Sequence, residues 1–385
     1  MTPSPALASP PQPPQPPQPP QQPQQPQKPQ RPLSGLKIVE FEGLGPGPLA
    51  GRMLAQAGAE VTLIARPGGN AMSAQLGGAD HPMRGGKRLV VIDLKSTEGV
   101  AQALELIALA DALIEGNRPG VMERLGLAPQ VCHARNPKLV YGRMTGWGQT
   151  GPLANAAGHD LNYVALTGLL SLSARPGERP MLPPTVVGDG AGALGLAYGI
   201  VCGVLQARLS GQGTVVDAAI VDITSMLGGL AQWLHGSGAL GGVISGLHGE
   251  ERVPSAFHDS PFYDVYECAD GRFITLGALE PQFYALLLQK LELSDVDPRA
   301  QYDASTWPLL KARFTALFRS RTRDQWSALL EGSDVCFAPV LTLDEAAAHP
   351  HNLARSAFHA APGGGVQAAP APRFSAASPG RSTRG

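Results

Sequence analysis

A strand, a glycine-rich turn, a helix and a second strand between Lys37 and Ile64, with the alternation repeated up to about residue 141, predict an α/β protein. This pattern expects a parallel sheet of Rossmann type in a large domain. A strand, tight turn, strand pattern at 262–276, followed by helical stretches, predicts a smaller α+β domain behind it. The expected organisation is a Pro/Gln tail over 1–33, a large domain over 34–225 and a linker over 226–257. A small domain over 258–332 follows, then a C-terminal segment, 333–385, that returns to the large domain and ends loosely.

The tail is almost entirely Pro and Gln, a composition that cannot bury apolar surface and samples polyproline II. Its PxxP spacing suits an SH3-like groove, but a solvated low-complexity extension is the preferred reading. From Leu36 the pattern changes. Lys37 to Phe41 reads as a strand, Gly43 to Gly47 as a turn, then a helix runs through Met53 and Ala57 to a stop at Gly58. Strands are expected at Ala59–Ile64, Leu89–Asp93, Ala112–Glu115, Lys138–Tyr141 and Gly213–Asp217. A helix from about Ser96 to Ala110 puts Val100, Leu104 and Ile107 on one face, with Ser96 or Thr97 as its cap. The uncharged stretch from Asp189 to Gln206, with Gly192, Gly195, Gly199 and Gly203, reads as a buried helix in a tight interface, too short and Gly-rich for a membrane span. A further apolar helix begins near Val221, and 235–261 reads as linker. Helices follow at Pro281–Leu291, Leu309–Phe318 and Arg323–Leu330.

With 385 residues, 43% hydrophobic content and a formal net charge of −1, the chain can bury a large core and has no global charge bias towards nucleic acid or anionic membrane. Its four cysteines, Cys132, Cys202, Cys268 and Cys336, form no CxxC pair and stand near no His at metal spacing. Neither a disulfide framework nor a metal site is indicated, and a reducing, cytoplasmic setting fits.

The first glycine turn resembles a dinucleotide fingerprint, but two details oppose NAD. Pro46 and Pro48 remove amide donors that a pyrophosphate cradle uses, and the second strand ends in Ala65-Arg66-Pro67-Gly68 rather than Asp or Glu. An Arg there suits a ribose phosphate, as in NADP or the 3′-phospho-ADP of coenzyme A, or is simply a solvated strand-end charge. The Arg84-Gly-Gly-Lys87-Arg88 loop, equally readable as a solvated basic turn, and Arg118, at another strand end, offer further phosphate-suited cations. Three residues could handle protons. His159 lies between Gly158 and an apolar segment; Asp189 heads the Gly-rich helix, where an N-cap role is the default; Glu280 precedes Pro281, again a cap position. Spacing alone leaves catalytic and structural roles open for all three.

The strings GHDLNY (158–163), LGPGPLAG (44–51), ARPGG (65–69), GKRLVVIDLK (86–95), RPGVMERLGL (118–127), GALEPQFY (277–284) and DVCFAPVLTLDEA (334–346) carry more. In this order, over about Gly35 to Phe374, the chain resembles the family III coenzyme A transferases, in their α-methylacyl-CoA racemase branch. The resemblance implies two chains interlocked as a homodimer with each site shared, acting on an acyl-CoA thioester with no separate cofactor. It implies His159 and Asp189 as the two acid/base groups, with Glu280 orienting or charging the His. Coenzyme A contacts map to Arg66 and to Ile92, Asp93, Leu94 and Lys95, with Arg118 at a neighbouring strand end. Gly158, Asp160, Leu161, Asn162 and Tyr163 surround the thioester.

Inverting a carbon beside a thioester needs one base to remove the α-proton and a group on the opposite face to return one, through an enolate. An imidazole and a carboxylate meet that need. An N-cap placement would lower the pKa of Asp189, and burial has to offset it. Transferases of the same family use an Asp nucleophile that maps to Asp160, which keeps acyl transfer as an alternative; a non-catalytic acyl-CoA-binding or scaffold protein is the third. His159 and the EPQFY string favour the racemase. Gly190 departs from that branch, where an aromatic residue is usual.

Overall fold

The computed structural model describes residues 31–69, 75, 81–175, 177–242, 253–361 and 364–375. The expected Pro/Gln tail, up to residue 30, lies outside them.

Six parallel strands form the large sheet: β1 (Lys37–Phe41), β2 (Glu60–Ala65), β3 (Lys87–Val91), β4 (Ala112–Glu115), β5 (Val140–Thr145) and β6 (Thr214–Ala219). Their order is β3-β2-β1-β4-β5-β6. Ile38 pairs with Val61 on one side and Ala112 on the other. The chain reverses its direction of winding between β1 and β4, so the carboxyl ends of these two strands border the crevice where such sheets bind ligands. Helices α1 (Pro46–Gln56), α2 (Thr97–Ala108), α3 (Val121–Arg124), α4 (Pro129–Arg135), α5 (Asp160–Leu166), α6 (Gly188–Ser210), α7 (Ile220–Leu227) and α8 (Gly229–Ser237) surround it. One face of the sheet packs Ile38, Val61, Ile114 and Val140 against Ala50 and Leu54 of α1 and Leu196, Ile200 and Val204 of α6. The other packs Val39, Phe41, Leu113 and Tyr141 against Ala103, Leu104 and Ile107 of α2.

Two strand boundaries move for physical reasons. β3 starts at Lys87, two residues before the expected apolar run, because the Lys87 side chain is buried on Glu40 of β1. β5 runs on to Thr145, where Arg143, Met144 and Thr145 pair with Asp217, Ala218 and Ala219 of β6. A strand that carries a charged residue into the sheet escapes a search for apolar runs.

The Gly-rich helix is longer than expected. At 23 residues α6 is long and apolar enough to cross a membrane by length and composition alone. Its packing gives another reason for the glycines: a Cβ at Gly199 or Gly203 would come within 2.7 Å of Val216 or Val140 in the sheet. The opposite face leaves Leu194, Tyr198, Leu205 and Leu209 exposed in the single chain.

The hairpin of the small unit is present as β7 (Tyr263–Glu267) and β8 (Phe273–Gly277), antiparallel. With α9 (Pro281–Lys290), α10 (Trp307–Phe318) and α11 (Arg323–Leu330) it encloses a core rich in aromatics, among them Phe262, Tyr284, Phe314, Phe318 and Trp326. Two boundaries are corrected. A third strand, β9 (Phe337–Pro339), pairs with β8, so the small sheet draws on residues beyond 332. Helix α8 and the end of α7 occupy the first part, up to residue 237, of the stretch expected to be linker, 226–257. The chain continues through α12 (Leu343–Ala348), α13 (Pro350–Ala354) and a hairpin of β10 (Phe358–Ala360) and β11 (Val366–Ala368). There Gln367 accepts a 3.0 Å hydrogen bond from Arg52 of α1.

Candidate active site

The turn after β1 delivers the chain into α1 through Gly45, whose backbone (φ 71°, ψ −127°) only glycine adopts readily. Across from it stands Asp189, whose Oδ2 lies 3.4 Å from the point a Gly45 Cβ would occupy. Asp189 is not the N-cap: Val187 holds that position, Asp189 is the second residue of α6, and among the described residues no hydrogen bond engages its carboxyl. The carboxyl is therefore free for other work. Burial pushes its pKa up to about 6, the neighbouring Asp160 acts in the same direction, and His159 opposes both. The shift is upward, the opposite of what a capping role would give.

His159 stands at the N-cap position of α5 in extended backbone. Asn162 Oδ1 accepts its N–H at 3.0 Å. The His159, Leu161 and Asn162 side chains are exposed in the single chain, whereas Asp160 is buried. Asp160 accepts the Asp189 N–H on Oδ1 at 2.8 Å and the Thr185 N–H on Oδ2 at 3.2 Å. Tyr163 donates its hydroxyl to Gly158 O and meets Trp147 edge-on, with ring centroids 4.7 Å apart. A Cβ at Gly158 would strike the same two rings. Burial raises the Tyr163 hydroxyl pKa, Asp189 adds to the rise and Arg118 counters it, which groups these side chains with His159 and Asp160 in one electrostatic neighbourhood.

A network that residue patterns did not reveal braces Arg118. At the end of β4, the fully buried Glu115 accepts Arg143 Nε at 3.0 Å and the Asn117 N–H at 2.7 Å. The same guanidinium reaches Glu123 of α3 at 2.9 Å. Arg143 of β5 thereby ties both ends of the Gly116–Gly120 turn that carries Arg118. Its signal in the sequence is an arginine inside an otherwise apolar strand.

The sheet edge expected to meet coenzyme A lies on β2 and β3. Arg66 is exposed beyond β2, with Nε 4.0 Å from Glu42 Oε2. The turn formed by Ile92, Asp93, Leu94 and Lys95 abuts it, since Ile92 N donates to Ala65 O at 2.9 Å. Ile92 is buried, whereas Asp93 and Lys95 face solvent. Ser96, one of the two expected caps, accepts the Gly99 N–H. From the β2 end to the β4 end is two strand intervals, about 10 Å. The basic loop is corrected: Lys87 is buried, donating to Glu40 at 2.6 and 2.8 Å and to Pro48 O at 2.9 Å, so it is withdrawn from any phosphate. Arg84 contacts Glu42 and Arg88 reaches Thr62.

Glu280 occupies the expected position, immediately before Pro281 at the start of α9, without a capping bond. Its charge acts on Tyr302 and Cys336 of the small unit. Among the described residues no hydrogen bond or ion pair joins it to His159. One chain therefore assembles His159, Asp160, Tyr163, Asp189 and Arg118, and among the described residues joins Glu280 to none of them by a hydrogen bond or ion pair.

The sequence model of CoA-transferase family III matches residues 33–385. The chain is 38% identical over 327 residues to an alpha-methylacyl-CoA racemase of Mus musculus, covering 85% of this chain and 82% of that one. It is 37% identical over 341 residues to an alpha-methylacyl-CoA racemase of Homo sapiens, covering 88% and 86%. Among solved structures, Rv3272 of Mycobacterium tuberculosis superposes with a TM-score of 0.75 at 25% identity, covering 90% of this chain and 94% of that one.

Proposed function

Because this chain belongs to CoA-transferase family III, we propose that it is an isomerase that interconverts the (2R) and (2S) forms of 2-methylacyl-CoA thioesters. The relatives named alpha-methylacyl-CoA racemase, matched over most of their length, support this reading. The observation that carries it is the sorting of three neighbouring proton-handling groups. Asp160, the residue a transferase would use as nucleophile, is buried with both oxygens taken by amides. His159 is exposed, and among the described residues no hydrogen bond engages the Asp189 carboxyl.

In this reading the thioester lies across the β1–β4 crevice. Arg66 and the Ile92–Lys95 turn hold the ADP end, Arg118 lies along the way, and Gly158–Tyr163 surrounds the thioester. Coenzyme A is part of the substrate, and no separate cofactor takes part. Asp189 and His159 address opposite faces of the α-carbon: one removes its proton, an enolate forms, and the other returns a proton. A carboxyl held near 6 is a stronger base than an ordinary aspartate and can also carry the proton it must deliver. Donors aimed at the enolate oxygen carry a large share of the barrier reduction, about 3 to 4 kcal/mol each.

The protein acts as a homodimer in this proposal. The exposed stripe Leu194, Tyr198, Leu205 and Leu209 on α6, with Leu230 and Trp233 on α8, is apolar surface of a kind that partners cover. Glu280 then orients His159 across the interface. Mixing His159→Ala with Glu280→Ala subunits should restore activity that neither variant has alone.

The direct test supplies one enantiomer of a 2-methylacyl-CoA in deuterated water. Loss of configuration with deuterium gain at the α-carbon is the expected result. Acyl transfer to a free acid, with hydroxylamine trapping at Asp160 and no exchange, would make the protein a transferase. Binding with neither activity would leave a non-catalytic acyl-CoA-binding protein.

A further inference from the structure

We infer that Asp160 is a positioning residue: its carboxylate accepts the amides of Thr185 and Asp189 and so seats the start of α6 with Asp189 facing Gly45. The inference rests on the proton-transfer reading above. Its geometry does not.

Asp160 is 7% exposed, and each of its oxygens has an amide donor: Asp189 N–H at 2.8 Å and Thr185 N–H at 3.2 Å. The first donor belongs to the residue proposed to handle the substrate proton. The second belongs to Thr185, held at φ 63° in the left-handed region that β-branched residues avoid. Asp160 therefore grips the chain on both sides of the turn leading into α6. The approach is so close that a Cβ at Gly188 would lie 2.7 Å from Asp160 Oδ1. A nucleophile needs an approach path, and Asp160 is buried; acylating either oxygen would also weaken the amide bond that oxygen accepts.

The electrostatics run the same way. Asp189 feels burial first and then Asp160, both raising its pKa, against His159. Tyr163 faces it from α5, with Arg118 beyond. Other elements packed on α6 bring charges that are engaged elsewhere or turned outward. Arg52 of α1 bonds Pro82 O and Gln367, and Arg143 of β5 bonds Glu115 and Glu123. Asp217 of β6 accepts the Gln149 N–H, and Asp222 of α7 is exposed.

The test compares wild type with Asp160→Asn, which keeps one acceptor oxygen and removes the charge, and uses a readout that does not need activity. With 13C-labelled aspartate, the Asp189 carboxyl should titrate about one unit lower in Asp160→Asn. The acidic limb of the kcat/KM profile should move with it, and KM should change less than kcat. Asp160→Ala should lose amide protection at Thr185 and Asp189 in hydrogen exchange, a measurement that stays informative if the Asn variant folds poorly. An unmoved carboxyl titration, unchanged amide protection, or hydroxylamine trapping of an acyl group on wild-type Asp160 would overturn the inference. A wild type that shows no α-proton exchange, yet whose titration shifts in Asp160→Asn, would discard the proposed function and keep the positioning role.

Discussion

Asp189 looks onto Gly45: a Cβ placed on that glycine would stand 3.4 Å from Asp189 Oδ2. The contact couples the β1 turn to the start of α6 across the crevice. Alanine at position 45 would meet two penalties. Its backbone would have to hold φ 71° and ψ −127°, which costs about 1 to 3 kcal/mol for a residue with a side chain. Its methyl would also fill space in front of the carboxylate. Gly45→Ala is expected to lower the melting temperature modestly and α-deuterium incorporation by about 10²-fold, since misplacing a reacting group by an ångström has that effect. A melt that drops while exchange stays at wild-type level would detach Gly45 from the site.

The two acid/base groups should be separable by stereochemistry. If Asp189 and His159 address opposite faces, Asp189→Asn must lose inversion by about 10²- to 10⁴-fold. It should still wash deuterium into the enantiomer whose α-hydrogen faces His159, with retention of configuration. His159→Gln should do the converse with the other enantiomer. Chiral analysis and mass spectrometry of the same samples read both properties. Equal loss of exchange from both enantiomers in both variants would point to a single base.

The raised carboxyl of Asp189 has a signature in pH. In either direction the working pair holds one proton between Asp189 and His159, so kcat/KM follows a bell whose limbs belong to the pair. Acid adds the second proton and stops the base. With Asp189 held up at about 6 by burial, activity should fall as pH drops through about 6. An unperturbed aspartate would let it persist to about 4. Initial rates of exchange from pH 4.5 to 9 decide between them.

The fold was largely readable because its strands are short apolar runs between turns, and β1, β2, β4 and β6 lie where those runs are. What escaped the reading depends on contacts between residues far apart in the chain. Lys87 reads as a cation suited to phosphate or to solvent, yet it is buried by Glu40, 47 positions earlier. Asp160 reads as a residue around the thioester, or as the nucleophile a transferase would use; its inward turn depends on amides 25 and 29 residues later. Asp189 was expected to cap its helix, but Val187 is the cap and α6 starts at Gly188, so the carboxyl is two positions past the cap. β9 spans only three residues, too few to show a strand period. Glu280 carries a motif without a neighbour at the site, and in the proposed dimer that neighbour comes from another chain.

Arg143 offers the sharpest test of how the Arg118 turn is held. Its guanidinium, nearly buried, joins Glu115 to Glu123, and Glu115 has no exposure of its own. Burial already pushes the Glu115 carboxyl up, while the Asn117 amide and Arg143 hold it down. Removing the arginine leaves a buried carboxylate short of its counter-charge, a change that typically costs about 3 to 5 kcal/mol. A carboxyl whose folded pKa lies above its unfolded value favours folding while protonated, and that advantage is lost as pH rises between the two values. Arg143→Met should therefore raise the folded pKa of Glu115 further and destabilise the protein more at pH 8 than at pH 5. Glu115→Gln combined with Arg143→Met should recover much of the loss, because glutamine removes the charge and still accepts the Asn117 N–H. Urea melts of the two variants at both pH values read the effect. If the single variant loses equal stability at pH 5 and pH 8, and the double variant recovers none, Glu115 is not the charge that Arg143 serves.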